Sequence, residues 1–215
     1  MAEQYDRVDF MSTYGVVPFS IWESDDPKFS NPILKHLKER QGESTRENTL
    51  KSFGGAGENT AYTATTSYFN PKLCKIIYSS YCPKNGTIFD PFSSVVRPYM
   101  AKILDYNYVG CEVRKDECDK INEMLNTNSL FEESDVRVLN MDCREFETDQ
   151  KFDLVFTCPP YWNLETYSEQ DNDLSFITDY SDFLTEMSKV YSKCSSLMHD
   201  KSYCCFVVAD FRDYS

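Results

Sequence analysis

Five short, mostly apolar runs alternate along the chain with segments of helical spacing, and this alternation limits the fold more than any other feature. The runs are TIFDPF from Thr87, YVGCEV from Tyr108 to Val113, VRVLNMD from Val136 to Asp142, FDLVFT from Phe152 to Thr157, and YCCFVVADF from Tyr203. Apolar residues at successive positions mark strands covered on both faces. Between the runs lie amphipathic helices. Asn70-Pro71 opens one of them, with Asn as N-cap, Pro in the first turn, and Leu73, Ile76, Ile77 and Ser80 on one face. A second spans Val96 to Leu104, and a third carries Cys118, Ile121, Met124 and Leu125. The last, capped by Asp179 or Ser181, aligns Phe183, Leu184, Met187, Val190, Tyr191 and Cys194. Such alternation predicts an α/β fold with a doubly wound, mostly parallel sheet of the Rossmann-like kind.

The organisation is one domain with an extension. Residues 1–60 are polar and irregular, with one helix expected from Pro32 to Arg40, and residues 61–215 carry the strands and helices. With 15% aromatic residues the chain holds enough apolar surface to offset the entropy of ordering it. No run approaches the ~18 apolar residues of a membrane span, and the N-terminus has no signal-peptide pattern. An intracellular protein is expected. Nine cysteines without any C-x-x-C pair point to free thiols, and His36 and His199 are too far apart to suggest a metal site. The formal charge of −13 is unlike that of a chain that grips phosphates across a broad face, so any hold on nucleic acid must be local or come from a partner.

Ligands of open parallel sheets bind beyond the carboxyl ends of the strands. Three acids stand at such ends: Asp90, Glu112 and Asp142. Glu112 follows Asp90 at nearly the interval, roughly 20 residues, that separates a nucleotide-binding turn from the acid that takes ribose hydroxyls. Each alone reads equally well as a helix cap or a solvated strand end. The fourth strand ends in Cys158-Pro159-Pro160-Tyr161-Trp162. Two prolines stop the ladder and hold the next residues in a stiff loop over the same rim. A stiff loop with backbone carbonyls and an aromatic face suits a flat, amino-bearing base: Tyr161 stacks, and the Pro159 carbonyl accepts from the amino group. The same prolines also read as a simple strand terminator.

In this order, TSYFNPKLCKII, IFDPFSS, YVGCEV and DLVFTCPPYW resemble the S-adenosylmethionine-dependent DNA methyltransferases that modify adenine N6 or cytosine N4. PFSIWE, CPPYWNLETYSE, YSDFL and CFVVADFRD are similar to the phage-type DNA modification methylases within that group. The resemblance implies a seven-stranded sheet, of which the last two strands lack a counterpart among the five runs. It implies S-adenosylmethionine as donor and an extruded DNA base as acceptor, adenine before cytosine. Ser67, Phe69 and Asn70 match the first cofactor segment, and Asp90, Pro91, Phe92 and Ser93 the donor-binding turn. Glu112 matches the ribose acid and Asp142 the partner of the cofactor's adenine. Cys158, Pro159, Pro160 and Tyr161 match the catalytic loop, with Tyr161 and Trp162 against the substrate. Amino-group methylation needs no enzyme adduct, so Cys158 is not expected to act as a nucleophile. The family's turn is rich in glycine, whereas here it reads Ser93-Ser94-Val95-Val96, and the two valines are expected to intrude where the donor lies. A non-catalytic subunit that binds a partner, or a methyltransferase acting on RNA or protein, is the alternative. A second chain completing the sheet and supplying target recognition is the implied partner.

Overall fold

The computed structural model describes residues 69–127, 134–162, 168, 170 and 172–208. The extension at 1–60, with the helix expected from Pro32 to Arg40, and Ser67 lie outside them. Asn70 caps the first helix, α1 (Pro71–Tyr81), its side chain accepting from the Lys72 amide at 2.9 Å. The buried face of α1 differs from the expected one: Cys74, Ile77, Tyr78 and Tyr81 face inward, while Leu73 and Ile76 are only half-buried. The cause is aromatic. Tyr78 has a place for its hydroxyl inside, donating to the Arg97 carbonyl at 3.0 Å, so its large ring is buried without leaving a polar atom unpaired.

After α1 come β1 (Thr87–Asp90), α2 (Val96–Ile103), β2 (Asn107–Glu112), α3 (Lys115–Thr127), β3 (Val136–Asn140), β4 (Phe152–Thr157), α4 (Tyr180–Leu197) and β5 (Met198–Phe206). Short 3₁₀ turns at Cys143–Glu145 and Leu174–Phe176 precede β4 and α4. Asp179 caps α4 by accepting from the Ser181 and Asp182 amides at 2.8 and 3.0 Å. The five strands run parallel in the order β3-β2-β1-β4-β5, a doubly wound α/β sheet that reverses direction between β1 and β4.

Strand side chains alternate between two cores. Ile88, Tyr108, Leu154 and Phe156 join Cys74, Tyr78, Met100 and Ile121 on the side of α1, α2 and α3. Phe89, Val109, Val155 and Phe152 join Phe146, Met187, Val190 and Cys194 on the side of α4. The central strands are therefore covered on both faces, as their composition requires. The outer ones differ. β3 and β5 are only partly buried, and β5 starts at Met198, five residues before the expected Tyr203. Phe152 pairs with Met198 and Leu154 with Tyr203, so β5 bulges outward around Lys201, whose φ is 70°. Among the described residues no helix is long and apolar enough to cross a membrane.

Candidate active site at the sheet switch point

The strand order places the carboxyl ends of β1, β2, β3 and β4 around one cavity of about 350 Å³. Phe69, Asn70, Pro91, Phe92, Ser93, Glu112, Asp142, Cys158, Pro160 and Tyr161 line it. The acidic strand ends and the proline-aromatic loop thus share one hollow, although they are distant in sequence. Asp90, Pro159 and Trp162 are not on its wall, and Ser67 lies outside the described residues.

Asp90 is wholly buried under the rim, where it organises the turn rather than lining the cavity. One carboxylate oxygen accepts from the Phe92 amide at 3.1 Å and from Thr157 Oγ1 at 2.5 Å. The other accepts from Arg97 Nε at 2.6 Å and from the Tyr108 hydroxyl at 2.5 Å. Arg97 also donates to the Phe92 carbonyl and lies over the Phe69 ring at 4.9 Å. Burial works against its charge, yet Asp90, with Tyr108 and Cys158 adding to it, holds the guanidinium protonated above its ordinary range. β1, β2, β4 and α2 are joined at one carboxylate.

The valines of the turn do not intrude. Val96 is packed in the α1–α3 core and Val95 against it, and neither lines the cavity. The close approach that a glycine in the turn would allow is supplied from the facing strand: Ser93 N–H donates to the Cys111 carbonyl at 2.8 Å, directly over Gly110. A Cβ on Gly110 would stand 2.6 Å from Ser93 Oγ, 2.7 Å from Ser93 Cβ and 2.8 Å from the Tyr108 ring. Gly110→Ala is expected to destabilise the fold by about 1–3 kcal/mol, because the turn must move off β2 to admit the methyl group. A urea midpoint unchanged from the parent chain would contradict this.

Glu112 closes β2 with its side chain 11% exposed. Its Oε1 accepts from the Arg114 amide at 2.8 Å, and Arg114 Nε stands 3.6 Å away. Burial nevertheless raises the carboxyl to about 7, against the lowering effect of Arg114. Asp142, just past the end of β3, caps the Cys143–Glu145 turn and accepts from Arg144 Nε at 3.0 Å on each oxygen. Asp173, also on the cavity wall, is buried and accepts from the Ser168 and Ser175 hydroxyls at 2.7 and 2.6 Å. Asp173 escaped the sequence reading because it belongs to a connection with no strand end to mark it.

The catalytic-loop residues divide. Cys158, Pro160 and Tyr161 face the cavity, with the Cys158 thiol 3.4 Å from the Tyr161 hydroxyl, while Pro159 is buried behind them. Trp162 turns away at a φ of 34°, packing edge-on to Tyr180 with ring centroids 5.1 Å apart. Its indole Nε1 is buried without a hydrogen-bond partner among the described residues. Among the described residues, no group of three or more His, Cys, Asp or Glu could hold a metal ion.

No family model matches the chain, and no curated protein matches it. Solved structures that align with part of this chain include an S-adenosylmethionine-dependent methyltransferase from Clostridium acetobutylicum, at TM-score 0.42 and 11% identity over 61% of this chain and 46% of that one. TrmN from Thermus thermophilus aligns at TM-score 0.44 and 14% identity over 63% of this chain and 37% of its own. The glycopeptide N-methyltransferase MtfA, complexed with (S)-adenosyl-L-methionine, aligns at TM-score 0.47 and 10% identity, covering 73% of this chain and 57% of its own. This chain thus spans between about a third and three fifths of the length of these three structures.

Proposed function

We propose that the cavity holds S-adenosylmethionine and that the chain transfers its methyl group to an exocyclic amino group of a DNA base, adenine N6 before cytosine N4. The observation that carries this reading is that Glu112, Asp142 and the Cys158, Pro160, Tyr161 lip line one cavity at the sheet's switch point. The charges on the wall select among nucleotide-like ligands. Glu112, Asp142 and Asp173 contribute three carboxylates, while the arginines at and beside the wall are already paired: Arg97 with Asp90, Arg114 with Glu112 and Glu117, and Arg144 with Asp142 and Glu186. A pyrophosphate would meet net negative charge there. A nucleoside with a cationic tail and no phosphate fits, and S-adenosylmethionine has that form, supplying when bound a methyl group made electrophilic by its sulfonium.

Each residue has a role in this reading. Glu112 accepts from the ribose hydroxyls, since a carboxylate takes two donors in fixed geometry. Asp142 accepts from the adenine amino group, and Phe69, Phe92 and Leu174 supply apolar wall. Tyr161 stacks on the acceptor base. Because Pro159 is buried behind the lip, the backbone carbonyl that draws on a proton of the acceptor amino group, leaving the nitrogen lone pair directed away from the ring plane, is assigned to Cys158 or Pro160, which line the cavity. A thiol is a weak acceptor, so the Cys158 side chain contributes little to that task. With a net charge of −13, the grip on DNA phosphates comes from a basic partner.

The test is incubation of the chain with S-adenosylmethionine and DNA, followed by mass spectrometry of the nucleosides. N6-methyladenosine in its deoxy form is the expected product. Methyl groups found only on RNA or protein would replace the acceptor, and no binding of the donor by calorimetry at millimolar concentration would remove the activity. Tyr161→Ala is expected to lower methyl transfer by about 10–100-fold, the worth of one stacked base at roughly 1–3 kcal/mol. Tyr161→Phe keeps the ring and is expected to stay near the parent rate.

A further inference from the structure

Arg144 was not singled out by its sequence context, yet its side chain joins three parts of the molecule. Nε donates to both Asp142 oxygens at 3.0 Å, a terminal nitrogen donates to Asp142 as well, and the Arg144 amide donates to Asp142 Oδ1 at 2.9 Å. The other terminal nitrogen donates to Glu186 in the middle of α4, which Lys189 also holds at 2.5 Å. The carbonyl of Asn172, which also lines the cavity, accepts at 3.4 Å. Arg144 and Asp142 side chains are only 19% and 9% exposed, so solvent screens this cluster weakly.

We infer that Arg144 is a positioning residue for recognition of the ligand's purine amino group: its fork locks the Asp142 carboxylate in one orientation and fastens the Asn172 backbone beside it to the same guanidinium. This rests on the reading of the cavity as a nucleoside site. A carboxylate has about four acceptor positions, and the donors from Arg144 fill roughly three, leaving one lone pair whose direction the fork dictates. An acceptor aimed in this way distinguishes a purine bearing an amino group from one lacking it. A loose carboxylate, free to turn toward water, does not. The distinction separates positioning from general structural support, because loss of packing alone weakens both ligands equally.

Adenosine and purine riboside, which lacks the amino group, are the probes, titrated by calorimetry into the full chain and its variants. The parent chain is expected to prefer adenosine by about tenfold, the worth of one hydrogen bond to a charged acceptor. Arg144→Gln is expected to bring the ratio close to one while the chain keeps a cooperative unfolding transition. Arg144→Lys, which restores charge without the planar fork, is expected to fall between and guards against a Gln variant that does not fold. A folded Arg144→Gln with the adenosine preference intact would overturn the inference. Equal binding of both nucleosides by the parent would overturn it while leaving the nucleoside site standing, and binding of neither would overturn both.

Discussion

Asp90→Ala is expected to lower the stability of the folded chain by about 3–5 kcal/mol, the largest effect of any single change considered, because it leaves the Arg97 charge buried and unpaired. Arg97 is 2% exposed and Asp90 fully buried, so water cannot take over the lost hydrogen bonds without opening the core. Thr157 and Tyr108 lose their acceptor in the same step. A domain of this size is stable by about 5–15 kcal/mol, so the change removes roughly a fifth or more of the total. Urea unfolding measures it: the midpoint should fall with little change in slope. The double variant Asp90→Ala, Arg97→Met takes out both charges and should recover much of the loss. A single variant that costs under ~1 kcal/mol would show that the turn is held by other contacts.

Binding of adenosine should tighten by about 100-fold between pH 5 and pH 8. The sign follows from Glu112. Burial holds its carboxyl at about 7 in the folded chain against 4.5 for the ordinary group, so at pH 5 the folded protein carries a proton there. A raised carboxylate value means that the fold itself loses relative stability as pH climbs from 4.5 to about 7, where burial comes to oppose an ionised group. A ligand that donates two ribose hydroxyls stabilises the ionised form and must displace that proton when it binds at low pH. Affinity therefore rises about tenfold per unit up to neutrality and levels off above it. Adenosine is the suitable probe because its own groups do not titrate in this window. Glu112→Gln should bind more weakly at pH 8 and show a flat profile from pH 5 to 8. An affinity for the parent chain that does not vary over this range would separate Glu112 from the ligand.

The elements were legible where local chemistry decides them. Asn70 and Asp179 cap the helices that their position suggested, Pro71 stands in the first turn, and Phe152–Thr157 forms the strand its apolar run implied. The register of Glu112, Asp142 and Cys158 on one rim was also legible, since strand ends of a parallel sheet face the same way. The inward face of α1 was not, because it depends on a carbonyl 19 residues away that accepts from Tyr78. Nor was the fate of Val95 and Val96, whose direction follows from how α2 packs on the sheet. Trp162 resembles its neighbours in the loop, and only its left-handed backbone turns it from the cavity toward Tyr180.

Hydrophobic spacing, caps and breakers act over a few residues, so the chain's order of strands and helices, and with it the parallel sheet and its acidic rim, was determined by sequence alone. The tertiary structure decided which polar groups meet: Asp90 with Thr157 across 67 positions, Arg144 with Glu186 across 42, and Ser93 over Gly110. Those meetings depend on the lateral order of strands and on close packing. A buried charge or a missing Cβ acquires its meaning only from the atoms that the fold brings beside it.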